Sequence, residues 1–191
     1  MKKIVLLAAV ASAAAIASPA AAQATGSVTV TGSVADKCFA IAPISDTITL
    51  GELSLQTGVN AGTVDSAFSS NTGGLSRSFS VRCTTTTPTI TVSALPLTIS
   101  GNAGTSGGYT GTVHYTSTLT AQKAGGGADA SAVYTTADSL PAATTTSVGD
   151  RLKNATNNVT VTVSNGTTTN GTDQLKAGSY SGSISITVSP V

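Results

Sequence analysis

Gly26-Ser-Val-Thr-Val-Thr-Gly-Ser-Val-Ala-Asp-Lys-Cys-Phe-Ala-Ile41 is the stretch on which the reading of the fold turns. Val28, Val30, Gly32 and Val34 fall on every second position with Thr, Thr and Ser between them, the period of a strand with one apolar face. Such a strand has to pair. If it pairs within its own sheet, the protein is an ordinary secreted β-domain; if it pairs with another copy, the protein is a subunit that polymerises.

What precedes this stretch sets its compartment. Lys2 and Lys3, the apolar run Ile4 to Ile16, Pro19 and the small residues up to Ala24 form the pattern of a cleaved secretory signal of bacterial type. The apolar run falls short of the ~20 residues that span a bilayer, so no membrane insertion is expected after cleavage. Cleavage after Ala22 or after Ala24 fits, and the first gives a signal peptide of residues 1–22 and a mature chain of 169 residues out of 191. That length is one domain.

Loss of Lys2 and Lys3 takes the formal charge from +1 to −1, which leaves no electrostatic footprint for nucleic acid or an anionic membrane. Charged residues make up 9% of the chain and aromatics 4%, with no Trp. Thr, Ser, Gly, Ala and Val dominate, a composition suited to short strands and Gly-rich turns. The alternating Val and Ile segments separate it from disordered chains.

Cys38 and Cys83 are the only cysteines, and export delivers them to an oxidising compartment. They are expected to pair; free thiols or a metal pair is the rival reading. A bridge closing roughly 45 residues contributes about 4 kcal/mol in the chain-entropy model.

Along the chain, Thr47 to Leu53 reads as a short strand interrupted at Gly51, and Gly58 to Gly74 as a polar stretch anchored by Val59, Val64 and Phe68. Ser78 to Thr84 reads as a firm strand with Phe79, Val81 and Cys83 on one face, so that Cys83 meets Cys38 between two sheets. Ile90 to Ile99 suggests a hairpin-like pair of strands around Pro96, and Tyr109 to Ala121 a long strand with His114 facing outward. A weak strand follows near Ala132 to Thr136, then a loop from Asp138 to Asp150. Val159, Val161 and Val163 share a face, Asn165-Gly166 and Asn170-Gly171 bracket a turn-rich connection, and Tyr180, Gly182, Ile184, Ile186 and Val188 alternate inward in the last strand. About six strands follow Cys38, where an immunoglobulin-like sandwich usually needs seven. The spare apolar strand stands at the front.

No catalytic constellation emerges. Glu52 is the only glutamate and His114 the only histidine, and the Asp residues stand singly, whereas acid–base or nucleophilic chemistry needs paired groups. Asp129, Asp138, Asp150 and Asp173 are too dispersed for a calcium loop. The runs Gly104 to Gly108 and Gly125 to Gly127 lack the Lys-Ser or Lys-Thr of a phosphate-binding loop. No enzyme activity, cofactor or metal is expected.

The arrangement resembles the archaic chaperone-usher pilins and the spore coat protein U domain. The resemblance rests on the Val28-Val30-Gly32-Val34 row ahead of Cys38, on Ser-Phe-Ser-Val-Arg-Cys ending at Cys83, on the strand containing Tyr115, and on Leu175-Lys-Ala-Gly-Ser-Tyr180 followed by the alternating Ile184 to Val188 ending. It covers nearly the whole mature chain. The Asn165 to Thr172 insertion and the Pro190-Val191 ending depart from the pattern.

The resemblance implies an all-β, incomplete immunoglobulin-like β-sandwich over residues 36–191, missing its last strand, with an N-terminal donor-strand extension at residues 23–35. A periplasmic chaperone would fill the gap until an outer-membrane usher exchanges it for the extension of the next pilin subunit, in a homopolymer or mixed fibre. Val28, Val30 and Val34 would then enter a neighbour's acceptor groove lined by Phe39, Ile41, Ile184, Ile186 and Val188, with Tyr180 pinning the corner before the last strand. Gly32 marks either close approach to the acceptor's core or a tolerated gap in the row. The expected product is a shaft or minor subunit of a cell-surface fimbria, supporting adhesion and biofilm formation. The alternative is a monomeric secreted sandwich that binds carbohydrate or another surface ligand, with the first strand folded back on its own sheet.

Overall fold

The computed structural model describes Ser27 and residues 29–191. The expected signal peptide and Val28 lie outside the described residues. The chain divides into two units, Met1–Ser33 and Val34–Val191.

Eleven strands and no helix form among the described residues: β1 (Cys38–Ala40), β2 (Ser76–Phe79), β3 (Val81–Cys83), β4 (Thr89–Ile99), β5 (Tyr109–Thr110), β6 (Thr112–Ala121), β7 (Ala130–Thr135), β8 (Thr144–Ser147), β9 (Val159–Thr167), β10 (Gln174–Leu175) and β11 (Tyr180–Ser189). The fold is all-β. One antiparallel layer runs β11-β4-β8 and another β2-β9-β6-β7, joined where the start of β6 pairs with the end of β4 at Leu97↔Val113. Small ladders of β1 with β3 and of β10 with β5 complete the set.

The period-two rows decide what is buried. Ile90, Val92 and Ala94 of β4 and Val159, Val161 and Val163 of β9 enter one core with Leu119, Tyr134 and Val148. Inward rows from both layers thus share a single core, an arrangement consistent with a β-sandwich. The outer faces carry hydroxyls that pair across strands: Ser76 with Thr162, Ser78 with Thr160, Thr91 with Thr145 and Thr116 with Thr135. Among the described residues, Arg77 and Arg82 are the only Lys, Arg, Asp or Glu residues inside any strand.

Several sequence expectations are corrected. Thr47 to Leu53 forms no strand; Gly51 turns the chain at φ +73°, where a Cβ would run into the Ser70 carbonyl. Val59 is fully exposed and anchors nothing, whereas Phe68 is buried at φ +49°. Ser78 to Thr84 breaks at Ser80 into β2 and β3, which pair with different partners.

Pro96 does not divide a hairpin. β4 passes through it as one strand, because the register with β11 slips between Ser181↔Thr98 and Ser183↔Leu95, and Pro96 occupies the resulting bulge. Gly182 lies opposite, where a Cβ would stand 2.9 Å from the Leu95 and Pro96 carbonyl oxygens.

Asn165-Gly166 is likewise a bulge within β9 rather than a turn: Asn165 has φ +55°, and the register slips between His114↔Thr167 and Thr116↔Ser164. Gly166 is required by the ring beneath it, since a Cβ would stand 2.6 Å from Cζ of Phe68. The Asp138 to Asp150 loop contains β8, whose all-hydroxyl sequence carries no apolar alternation.

The disulfide joins Cys38 and Cys83, as expected, but not between sheets. The two residues face each other across β1 and β3 with Cα atoms 4.1 Å apart, in keeping with the close spacing of a non-hydrogen-bonded antiparallel pair.

Candidate functional site

β11 pairs only with β4, and β2 only with β9, among the described residues. Each therefore leaves one main-chain edge open. Between these edges lies a groove of about 300 Å³. Its floor is apolar: Tyr115 from β6, Val161 and Val163 from β9 and Leu97 from β4, flanked by Phe79 of β2 and by Ile184 and Ile186 of β11. The β11 row packs on the core but is only half-buried.

Residues 42–50 run along this groove without joining either edge. Ile44, Ile48 and Leu50 line it. Their backbone is held by side chains instead: Arg77 Nε and Nη2 donate to the Thr47 carbonyl at 3.0 and 2.7 Å, Arg77 Nε lies 3.2 Å from the Asp46 carboxylate, and Asn71 donates to the Thr49 carbonyl. Arg77 Nη1 also donates to the Gly73, Gly74 and Ser76 carbonyls, fixing the guanidinium at the rim.

Two tyrosines tie the walls together. The Tyr115 hydroxyl donates to Leu95 O at 2.9 Å and Ser183 O at 3.2 Å, bridging β4 and β11 beside the Pro96 bulge. Burial, reinforced by nearby Tyr134, pushes its pKa up to about 12. The Tyr180 hydroxyl donates to Lys176 O at 2.9 Å and Thr110 O at 3.2 Å, closing the corner that leads into β11. Burial raises its pKa as well, against the opposing effect of the Lys176 backbone.

The expected site residues separate into groups. Ile184 and Ile186 line the groove; Val188 lies on the same row, half-buried against the core. Phe39 and Ile41 do not line it and are 49% and 57% exposed, because β1 is drawn into its ladder with β3 and residues 44–50 take up that wall. Val30, Gly32 and Val34 lie in no strand, and the two valines are 90% and 78% exposed. Arg77, Tyr115, Ile44, Ile48 and Leu50 were not singled out from sequence as lining the groove. The lone cation in the alternation Arg77-Ser78-Phe79 was the only available signal.

His114 is buried, contrary to the outward placement its position in the alternation suggested. β6 is covered on both faces here, and the bulge after His114 turns it beneath the 136–138 and 167–169 segments. Its Nε2 lies 3.1 Å from Asp138 Oδ1 and 3.2 Å from Thr169 Oγ1, and buried Nδ1 has no partner. Carboxylate and hydroxyl meet the same ring nitrogen, so they do not form a nucleophile–base–orienter relay, which needs one on each nitrogen. Among the described residues, no three His, Cys, Asp or Glu side chains come together as a metal ion would require.

A scan against protein-family models and searches of curated proteins and solved structures found no match.

Proposed function

We propose that this chain is a structural subunit of a chaperone-usher type fibre, an incomplete immunoglobulin-like sandwich completed by the N-terminal strand of another copy. The observation that carries this reading is the open edge of β11 beside an apolar groove. An unpaired edge of ten residues offers main-chain bonds over ~34 Å. The Val28-Val30-Gly32-Val34 row supplies a strand of the matching period. Main-chain bonds to β11 would give affinity, and alternate valines in the groove would give register. Each valine fully buried there contributes about 1.5–3 kcal/mol before ordering costs.

Before assembly, the same edge and groove would be held by a periplasmic chaperone and handed over at an outer-membrane usher. In this reading the Cys38–Cys83 bridge anchors the root of the extension to β3.

The test compares the mature protein with and without residues 23–35, on unboiled denaturing gels and in electron micrographs. Ladders and thin fibres only in the longer form support strand donation between copies. Monomers in both, with the shorter form less stable, would instead mean that the strand completes its own sheet, and the reading would give way to a monomeric ligand-binding sandwich. Val30→Asp, which places a carboxylate in an apolar groove, is expected to abolish ladders while leaving the disulfide intact.

A further inference from the structure

We propose that residues 42–50 are a resident plug of the groove, displaced when the strand of a second copy enters, and that Arg77 sets how readily the plug leaves. This rests on the donor-strand reading above and concerns its control.

Ile44, Asp46, Ile48 and Leu50 occupy alternate positions, and all four line the groove, with Thr47 between them reaching it as well. Their spacing is that of Val28, Val30, Gly32 and Val34. Two segments of one chain therefore carry a row of the same period with one non-apolar member, suited to the same floor. One covers that floor now, and two extended segments cannot both cover it.

The plug is held differently from a strand. Among the described residues, the only main-chain to main-chain bond made by residues 42–50 is from Ser45 N to Pro43 O. The Thr47 carbonyl is held by the Arg77 guanidinium and the Thr49 carbonyl by the Asn71 amide. The plug thus shields Tyr115, Val161 and Val163 from water without satisfying the edge of β11. An incoming strand does both, gaining a main-chain ladder that the plug never makes. The balance between the two occupants falls on the Arg77 contacts to Thr47 and Asp46, which are charge-assisted and strong for their number.

The acceptor for the test is the full mature chain carrying Val30→Asp, whose own strand is disabled. The probe is a fluorescein-labelled peptide of residues 23–36, its association followed by anisotropy. Adding Arg77→Gln is expected to raise the association rate roughly tenfold, as for loss of charge-assisted hydrogen bonds. Asp46→Asn, which keeps the bonds to Thr47, is expected to raise it about two- to threefold and serves if Arg77→Gln folds poorly. Equal rates in all three proteins would overturn the plug while leaving strand donation intact. No binding by any of them, together with no fibres from the unmodified protein, would overturn the donor-strand reading itself.

Discussion

β4 and β11 lie side by side and present the same kind of residue to the same face, yet they are buried to very different degrees. Ile90 and Val92 of β4 have no exposed surface, whereas their register partners Val188 and Ile186 of β11 remain partly exposed. β4 has β11 on one side and β8 or β6 on the other; among the described residues β11 has β4 alone. An apolar row in a sheet is closed by its lateral neighbours as well as by the opposing layer, so the fuller exposure of the β11 row follows from its having a neighbour on one side only among the described residues.

The comparison can be broken most forcefully by truncation. Ile90→Ala should cost about 2–5 kcal/mol in urea unfolding of the monomer, as for a buried isoleucine, and Ile186→Ala only about 1 kcal/mol. Equal costs would mean that β11 is already closed. In assembled protein the Ile186 effect should rise toward that of Ile90. Hydrogen exchange gives the same contrast at the backbone. Every second amide of β11 should exchange rapidly in the monomer and become protected once the 23–36 peptide is bound, with little change in β4.

Smaller effects sharpen the boundary between the two strands. Tyr115→Phe removes the hydroxyl that bridges Leu95 and Ser183 and should cost about 0.5–1.5 kcal/mol. The loss should appear mainly as faster exchange around the Pro96 bulge. The smallest effect is alkaline. Tyr115 titrates at about 12 in the folded protein against about 10 when unfolded. Between these values the folded state holds a proton that the unfolded state has lost, so the stabilisation present below pH ~10 declines as pH rises towards 12. Tyr115→Phe should flatten that slope in pH-dependent urea titrations.

The strand rows were legible in the sequence wherever apolar residues alternate with hydroxyls, as in Val159 to Val163 and Ile184 to Val188. Position was harder to read than period. His114 obeys the alternation that would face it outward, but a central strand has two covered faces and a bulge beside it. Pro96 and Asn165-Gly166 carry turn chemistry, and both were absorbed as bulges because neighbouring strands held the chain extended on either side. β8 was invisible because Thr144 to Ser147 offers only hydroxyls to both faces. Of the groove, the β11 wall could be read from Ile184 and Ile186. The Arg77 clasp could not, because apart from Asp46 its partners are main-chain carbonyls, which every residue carries.

The paired hydroxyls on the outer faces have a consequence for the environments this molecule withstands. A hydroxyl pair across two strands holds its neighbour by a neutral hydrogen bond, and apart from Arg77 and Arg82 the strands among the described residues carry no Lys, Arg, Asp or Glu, so these pairs offer dissolved ions no charge to screen. From fresh water to brine, the cross-strand hydroxyl pairs are expected to hold with little change.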